Sequence, residues 1–232
     1  MTGFEALLGL PEGADAWAVA RRVGFFGGSF DPLHAAHLSL ARQALAQLRL
    51  DRVVWIPSGH AWYKARTLTG AAHRLAMLRL ALAEEPRFVV SEVEVHRTEP
   101  SYTVDTLTRL GVPEAGTSTP ACENAQEYFW ILGQDQYAKL HTWHDWSALL
   151  RRVTLVVAAR GDEAPQASPQ VQAEPHRLEV LRVAPSSVSS TALRQAIESG
   201  GSPEGLSPAL PLPVARYIAA HGLYRHHQKE ES

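Results

Sequence analysis

Short runs of consecutive apolar residues alternate along the chain with longer segments in which apolar residues recur every three or four positions. The short runs are typical of strands that are buried on both faces, whereas the longer pattern indicates amphipathic helices. Strands are predicted on this basis at residues 23–26, 52–56, 87–95, 128–132, 153–158 and 178–183. Helices are predicted between and after them at residues 34–48, 71–83, 103–110, 146–151, 191–198 and 213–220.

The alternation of strands and helices predicts an α/β fold, in which a parallel sheet carries helices on both faces. Such doubly wound sheets bind ligands at the carboxyl ends of their strands, near the point where the strand order reverses. We assign residues 22–225 to this domain, residues 1–21 to an N-terminal extension and residues 226–232 to a polar tail. Segments 112–126 and 161–175 are rich in turn-forming residues and are predicted to be exposed loops.

A glycine pair and two histidines follow the first predicted strand. Residues 27–37 read Gly-Gly-Ser-Phe-Asp-Pro-Leu-His-Ala-Ala-His, and Gly27 and Gly28 allow the backbone to turn tightly and to approach a ligand closely. His34 and His37 share one face at the start of a helix, where free N–H groups and the helix dipole attract phosphate. This arrangement predicts a polyphosphate ligand, with surface histidines and half of a zinc site as the alternatives. The G-x-G-x-x-G fingerprint is absent from the turn, which disfavours an ordinary dehydrogenase.

Composition narrows the range of partners and locations. The chain has 232 residues, 45% of them hydrophobic, and a net charge of −2, so it has no overall basic field to attract nucleic acid or an acidic membrane. No apolar run approaches the roughly 20 residues that cross a bilayer, and the first residues do not resemble a signal peptide. Cys122 is the single cysteine, which excludes an intrachain disulfide and fits a reducing compartment. We therefore expect a cytoplasmic protein that binds neither nucleic acid nor membrane, and the oligomeric state stays open.

A second cluster of hydroxyl groups opens the helix predicted at residues 191–198. Ser189, Ser190 and Thr191 stand at its start, and consecutive hydroxyls there are good helix caps. The same hydroxyls and the free N–H groups also form a nest for phosphate, and Arg194 adds a permanent charge and bidentate donors. Because capping alone does not require Arg194, the cluster favours a second phosphate-binding element.

These two motifs resemble the signatures of the nucleotidyltransferase superfamily. Residues 27–37 resemble its H-x-x-H signature, and residues 189–194 resemble its C-terminal S-S-T-x-x-R signature. Within the superfamily the chain is similar to the bacterial nicotinate-nucleotide adenylyltransferases, in which further matching segments occur in the same order. Those segments are residues 100–107, residues 131–135, Leu140 with Trp143, residues 217–218 and residues 222–224. The chain departs from the family at Ala36, where glycine is usual and the added methyl group crowds the space near a ligand.

The resemblance implies a Rossmann-like doubly wound parallel sheet of the nucleotidyltransferase type, with a small C-terminal helical part. It also implies a reaction in which the 5′-phosphate of nicotinate mononucleotide attacks the α-phosphorus of ATP, giving nicotinate adenine dinucleotide and pyrophosphate. Because the attacking phosphate is already ionised, no protein nucleophile is needed, and catalysis consists of positioning two anions and neutralising the leaving group. Mg²⁺ is expected to arrive on the ATP phosphates rather than in a metal site of the protein.

The resemblance further implies the roles of individual residues. The residues implied in catalysis are His34, His37 and Arg194. The residues implied in ATP binding are Gly27, Gly28, Ser29, Phe30, Lys64, Gly133, Asp135, Ser190 and Thr191. The residues implied in binding the nicotinate nucleotide are Tyr102, Thr103, Trp143 and Arg160.

Several of these assignments carry a physical expectation. The indole of Trp143 is flat and stacks well on a pyridine ring. The backbone N–H groups of Tyr102 and Thr103, at the start of a predicted helix, are expected to receive the nicotinate carboxylate, which favours the acid over the amide. Gly133 and Asp135 are expected to end a strand, with the Asp135 carboxylate on the ribose hydroxyls of adenosine.

Other functions are compatible with some of the same residues. A preference for nicotinamide mononucleotide is the nearest alternative, and a pantetheine-phosphate adenylyltransferase would share both phosphate motifs without explaining residues 101–107 or Trp143. A non-catalytic nucleotide sensor need not keep a leaving-group clamp such as Arg194, and a metal-dependent hydrolase lacks further ligands at motif spacing. Asp31 is expected to shape the turn rather than to act as a base.

Overall fold

One parallel sheet of six strands organises the part of the chain that the structure describes. The computed structural model describes residue 17 and residues 19–59, 68–97, 99–114, 126–160, 164–184 and 186–225. The strands are β1 (Arg22–Gly28), β2 (Arg52–Pro57), β3 (Phe88–Val90), β4 (Glu127–Gly133), β5 (Thr154–Arg160) and β6 (Leu178–Val183). Their order is β3-β2-β1-β4-β5-β6, so it reverses between β1 and β4. The predicted parallel α/β sheet is confirmed, and its switch point lies where residues 27–37 leave β1.

Helices α1 to α8 connect and follow the strands. They are α1 (Ala35–Gln47), α2 (Ala71–Leu82), α3 (Thr103–Arg109), α4 (Gln134–Ala138), α5 (Trp146–Arg152), α6 (Pro169–Ala173), α7 (Ser190–Glu198) and α8 (Leu212–Ala220), with 3₁₀ turns at Leu140–Thr142 and Glu204–Leu206. Adjacent residues of one strand bury their side chains in different hydrophobic clusters, as Phe25 and Phe26 of β1 do. The sheet is therefore covered on both faces, which explains why its strands read as continuous apolar runs.

A third hydrophobic cluster, the C-terminal cluster, attaches the last helices to the rest of the domain. Leu193 of α7 and Ile218 of α8 pack in it with Met77 of α2. The N–H of Ala35, the first residue of α1, donates to the carbonyl of Ala209 at 2.9 Å. The small C-terminal helical part implied by the resemblance is thus present, and it touches the start of α1.

The strand predicted at residues 87–95 is wrong beyond its first residues. After β3 the N–H of Ser91 makes one more bond, of 2.9 Å, to the carbonyl of Trp55, and residues 93–96 then form a turn. The neighbouring strand β2 ends at Pro57, and proline has no N–H with which to extend the ladder. The alternating polar and apolar residues therefore imitate a strand that has no partner to pair with.

The loop predicted at residues 161–175 contains a short helix, so that prediction is wrong for α6. Val171 of α6 is fully buried. The Ser168 hydroxyl accepts from the N–H of Val171 at 3.4 Å, and Pro169 takes the first helical position. Serine followed by proline is a helix-start signal, and it identifies α6 although the helix is too short to show an apolar period.

The other segments at the edges of the predicted domain are only partly described. Val112, at the start of the loop predicted at residues 112–126, is buried. Trp17 is also buried, edge-on against the ring of Phe25, with the centroids 5.5 Å apart. The end of the predicted extension 1–21 therefore packs on the domain. Outside the described residues lie segments 1–16, 115–125 and 226–232. No helix in the described part of the chain is long and apolar enough to cross a bilayer.

Candidate active site

Two clefts open at the carboxyl ends of the strands, where ligands of doubly wound sheets bind. The first cleft, of about 740 Å³, lies between α1 and the ends of β4, β5 and β6. The second cleft, of about 690 Å³, lies between the ends of β1 and β2 and the start of α3. Asp135 and Gln136 of α4 line both clefts, so the two clefts share part of their wall there.

The segment that runs between the two clefts is residues 27–37. Gly27 and Gly28 line the second cleft, whereas Ala35 and Ala36 line the first. The chain between these pairs therefore leads from one cleft to the other, although His34 and His37 are not among the lining residues of either cleft in the described part of the chain. The extra methyl group of Ala36 forms part of the wall of the first cleft.

The two glycines belong to β1, and the prediction that they turn the chain is wrong. The left-handed backbone falls instead on Phe30, with φ 46°. A Cβ at Gly28 would lie 3.0 Å from the Phe30 ring, and a Cβ at Gly27 would lie 3.1 Å from the Trp130 ring. The glycines therefore let aromatic rings pack closely against the strand. The Phe30 ring in turn anchors the bend, since its centroid is 5.2 Å from that of Trp55.

His34 and His37 are brought together as predicted. His34 is the residue that precedes the first turn of α1, and its ring stacks on that of His37 with centroids 3.8 Å apart and planes 26° apart. The backbone N–H of His34 donates to Nδ1 of His37 at 3.2 Å. In the neutral imidazole of His37 this bond leaves the ring proton on Nε2, which is then a donor.

Burial keeps both imidazoles neutral in the structure. Desolvation lowers the pKa of His34 to about 4. Desolvation also lowers the pKa of His37 well below its usual range, and the neighbouring His34 acts in the same direction. The Nδ1 atom of His34 is buried and has no hydrogen-bond partner among the described residues. An anion bound beside the two rings would oppose the lowering, because negative charge favours the protonated imidazole.

Arg74 of α2 organises the loops around the turn, and sequence reasoning missed it. Its side chain is only 2% exposed. Its guanidinium donates to the carbonyls of Thr69 at 2.8 Å, Ser29 at 2.9 Å and Gly59 at 3.1 Å. These three carbonyls belong to separate segments, so the residues next to Arg74 in the sequence do not indicate that it binds them.

The second of the two motifs predicted to bind phosphate lies against the first. The Ser189 hydroxyl caps α7 by accepting from the N–H of Ala192 at 3.2 Å. The Ser190 hydroxyl donates to the carbonyl of Pro32 at 2.9 Å. Arg194 donates to the carbonyl of Asp31 at 2.6 Å and to the Thr191 hydroxyl at 3.1 Å. The structure thus brings together the two motifs that the sequence singled out.

The second cleft contains the aromatic and helix-start residues predicted for a pyridine nucleotide. Tyr102 is the residue before α3 and Thr103 is its first residue, so their backbone N–H groups lie at the start of the helix as predicted. Trp143 is half-buried and lines the same cleft. The ring of Tyr102 lies on that of His144, with centroids 4.3 Å apart.

Glu94 also lines the second cleft, and sequence reasoning did not select it. Burial raises the pKa of its carboxyl, while the hydroxyl of Thr106, which donates to Oε1 at 2.7 Å, opposes the rise together with Arg97. An acidic side chain in this cleft acts as an acceptor when ionised and as a donor when protonated.

The remaining predicted residues are placed less completely. Gly133 ends β4 as predicted, but Asp135 lies in the first turn of α4, a five-residue helix too short for its period to appear in the sequence. Arg160 ends β5, and its side chain lies outside the described residues, as does the whole of Lys64. Within the described ranges no group of three or more His, Cys, Asp or Glu residues is arranged to hold a metal ion.

The chain is similar to known proteins over most of its length. The cytidylyltransferase-like family model matches residues 25–196. A probable nicotinate-nucleotide adenylyltransferase of Methylibium petroleiphilum is 43% identical over 207 residues, which cover 88% of this chain and 92% of the relative. One of Bordetella petrii is 44% identical over 210 residues, with 88% and 100% covered. The solved structure of Plasmodium falciparum nicotinic acid mononucleotide adenylyltransferase complexed with NaAD has a TM-score of 0.67 at 17% identity. The match covers 88% of this chain and 97% of that one, so the two proteins share a fold.

Proposed function

The chain belongs to the cytidylyltransferase-like family, among the nicotinate-nucleotide adenylyltransferases, and on this premise we propose that it joins ATP and nicotinate mononucleotide. The products are nicotinate adenine dinucleotide and pyrophosphate, in the biosynthesis of NAD. The observation that carries the proposal is that two clefts at the carboxyl ends of the strands share Asp135 and Gln136 as lining residues.

The reaction is a direct displacement at phosphorus. An oxygen of the 5′-phosphate of nicotinate mononucleotide forms a bond to the α-phosphorus of ATP, and the bond from that phosphorus to the bridging oxygen of the pyrophosphate breaks. The electron pair leaves with the pyrophosphate, and no proton has to move because the attacking phosphate is already ionised. The protein therefore contributes by positioning two anions and by stabilising the charge that develops on the leaving group. Mg²⁺ enters as part of the substrate Mg-ATP.

ATP occupies the first cleft in this proposal. His34 and His37 donate to its phosphates, which an imidazole can do in either charge state, and in the neutral His37 the donor is Nε2. The other ATP-binding groups are Ser29 and Phe30 at the turn, Ser190, Thr191 and Arg194 at the start of α7, Gly133 and Asp135 beside the ribose, and Lys64. Gly27 and Gly28 end β1 and line the second cleft, so in this proposal they contact ATP only at the end that faces nicotinate mononucleotide. The support for the α7 group is its contact with the turn, since Arg194 and Ser190 donate to backbone carbonyls of the first motif.

Nicotinate mononucleotide occupies the second cleft. The N–H groups of Tyr102 and Thr103 receive the nicotinate carboxylate at the start of α3, and the indole of Trp143 stacks on the pyridine ring. Arg160 binds the 5′-phosphate. The position of the first three residues around one cleft supports this orientation.

Release of pyrophosphate tests the proposal. Folded protein is supplied with Mg-ATP and, in parallel, with nicotinate mononucleotide, nicotinamide mononucleotide or phosphopantetheine. We expect release with the nicotinate substrate to be at least about tenfold faster than with the amide, because charge-assisted hydrogen bonds to the carboxylate are the stronger ones. Comparable rates with acid and amide would keep the reaction but remove the carboxylate role of Tyr102 and Thr103. Absence of release with all three substrates would overturn the reaction and favour a nucleotide sensor.

One observation favours nicotinamide mononucleotide as a second candidate substrate. Glu94 lines the second cleft, and an ionised carboxylate accepts a hydrogen bond from a carboxamide N–H but repels a carboxylate. The pyrophosphate assay with both mononucleotides distinguishes the two candidate substrates. If the Glu94 carboxylate accepts a hydrogen bond from the carboxamide, nicotinamide mononucleotide will react faster than nicotinate mononucleotide.

Replacing Trp143 by alanine is expected to raise KM for nicotinate mononucleotide about tenfold, since ring stacking and apolar contact are both lost. KM for Mg-ATP is expected to stay within about twofold, because ATP lies in the other cleft. Steady-state kinetics with each substrate varied in turn give both values. Trp146→Ala is the matched control, since Trp146 packs on the same hydrophobic cluster but is not among the residues that line the second cleft in the described part of the chain. Equal effects of Trp143→Ala on both KM values would make Trp143 a core residue.

A further inference from the structure

Asp31 stands in the turn just before the histidines and is fully buried although it carries a carboxyl group. Its Oδ1 accepts from the hydroxyl of Tyr224 at 2.6 Å, and its Oδ2 accepts from the N–H of Thr69 at 3.4 Å. Its backbone carbonyl accepts from Arg194 at 2.6 Å. A buried carboxyl group that loses a donor loses part of what offsets the cost of its desolvation. The position of Asp31 therefore depends on the position of its donors.

Tyr224 reaches Asp31 from the other end of the domain, 193 residues along the chain. It follows α8, whose end is closed by a bond of 3.1 Å from the N–H of Leu223 to the carbonyl of Ile218. Tyr224 itself has φ 63°, and its side chain packs on the C-terminal cluster. A left-handed backbone is unfavourable for an aromatic residue and persists only where the surrounding contacts hold it. These contacts aim the hydroxyl at Asp31.

The hydroxyl of Tyr224 is a permanent donor. Burial raises its pKa well above the usual range, and the charge of Asp31 and the hydrogen bond between the two groups act in the same direction. The phenol therefore stays protonated at every pH at which the protein works. A permanent donor suits a group whose task is to hold a carboxylate in place.

We propose that Tyr224 is a positioning residue for the turn between Phe30 and His34, which its hydroxyl holds through Asp31. This inference rests on the proposed function, because that function assigns the turn to the ATP phosphates. Three side chains donate hydrogen bonds to backbone carbonyls of the turn. Arg74 donates to the carbonyl of Ser29, Arg194 to that of Asp31, and Ser190 to that of Pro32. Tyr224 adds a hydrogen bond to the buried side chain of Asp31 in the same turn. Its loss loosens the ATP end of the site, while α3 and the Trp143 side of the second cleft keep their structure.

The test is Tyr224→Phe, which removes one hydroxyl and keeps the ring. We expect kcat/KM for Mg-ATP to fall about tenfold, because the turn loses a buried hydrogen bond that orients it. KM for nicotinate mononucleotide is expected to stay within about twofold. Tyr217→Phe is the matched control, because its hydroxyl makes a bond of 3.0 Å to Nδ1 of His73 and no described contact to the turn. Both variants are assayed at a temperature at which circular dichroism shows them folded.

Binding of α,β-methylene-ATP, measured by calorimetry, separates this inference from the proposed reaction. If the wild-type protein binds the analogue but forms no dinucleotide, the proposed reaction fails, while an affinity about tenfold weaker in Tyr224→Phe still supports the positioning role. Wild-type kcat/KM and affinity in Tyr224→Phe would overturn the inference. Equal rises of both KM values, or the same loss in Tyr217→Phe, would also overturn it. Should Tyr224→Phe not fold, Asp31→Ala, which removes the acceptor of the Tyr224 hydroxyl, takes its place, with the same expected loss for ATP and the same overturning results.

Discussion

Replacing His37 by alanine is expected to lower kcat by about 10²- to 10³-fold, the effect of removing one preorganised donor from a developing oxyanion. The ring is held before substrate arrives, because it stacks on His34 at 3.8 Å and meets the Phe30 ring edge-on at 5.3 Å. The bond from the His34 N–H to Nδ1 fixes which nitrogen keeps the proton. The variant therefore loses a donor whose position and tautomer the fold has already set.

Binding of nicotinate mononucleotide is expected to survive this change, since its pyridine end lies in the second cleft. Steady-state kinetics give kcat, and calorimetry gives Kd for the mononucleotide, which should stay within about twofold of wild type. His96→Ala is the matched control, because His96 has a side chain that is 77% exposed and pairs with Glu92 at the surface. Unchanged kcat in His37→Ala would remove His37 from the mechanism.

Replacing Arg74 by methionine is expected to lower the free energy of unfolding by about 3 to 5 kcal/mol. Methionine keeps much of the buried volume but donates no hydrogen bond, so the carbonyls of Ser29, Gly59 and Thr69 lose the donor that the fold provides. The carbonyl of Ser29 belongs to the turn before the histidines, and that of Gly59 follows Ser58, which lines the second cleft. We therefore expect KM to rise for both substrates in addition to the loss of stability.

Urea unfolding followed by circular dichroism measures this change. Arg79→Met is the matched control, since Arg79 lies on the same helix and makes an exposed ion pair with Glu92. Exposed ion pairs contribute about 1 kcal/mol or less, so the control should remain close to wild type. A loss in Arg74→Met no larger than in Arg79→Met would show that the three carbonyls find other partners.

The sequence predicts well those parts of the fold that depend on interactions between residues close together along the chain. β1, β4 and β5 are buried on both faces, so each appears as an unbroken apolar run. The start of α7 is marked by the capping hydroxyl of Ser189. β3 is overestimated because the pattern of residues 92–95 cannot show that β2 ends at Pro57.

In the candidate site, too, contacts between residues close in sequence could be predicted, whereas contacts between distant residues could not. His34 and His37 are the capping residue and the third residue of α1, so the start of one helix brings their rings together. Arg74 is 45 residues from Ser29, and Tyr224 is 193 residues from Asp31. Nothing in the local pattern around either residue distinguishes it from an ordinary arginine of an amphipathic helix or a tyrosine near the end of a chain.

By itself the sequence determined most of the buried strands, the positions of the two motifs that are predicted to bind phosphate, and that each motif leads into a helix. Only the tertiary structure decided that the two motifs touch, that Phe30 rather than a glycine turns the chain, and that Arg74 and Tyr224 hold that turn. The physical reason is the range of the interactions. Apolar periodicity and helix capping act between neighbours and leave a trace in a short stretch of sequence. The hydrogen bonds that satisfy a buried turn join segments that are distant along the chain, and the packing of the sheet and its helices selects them.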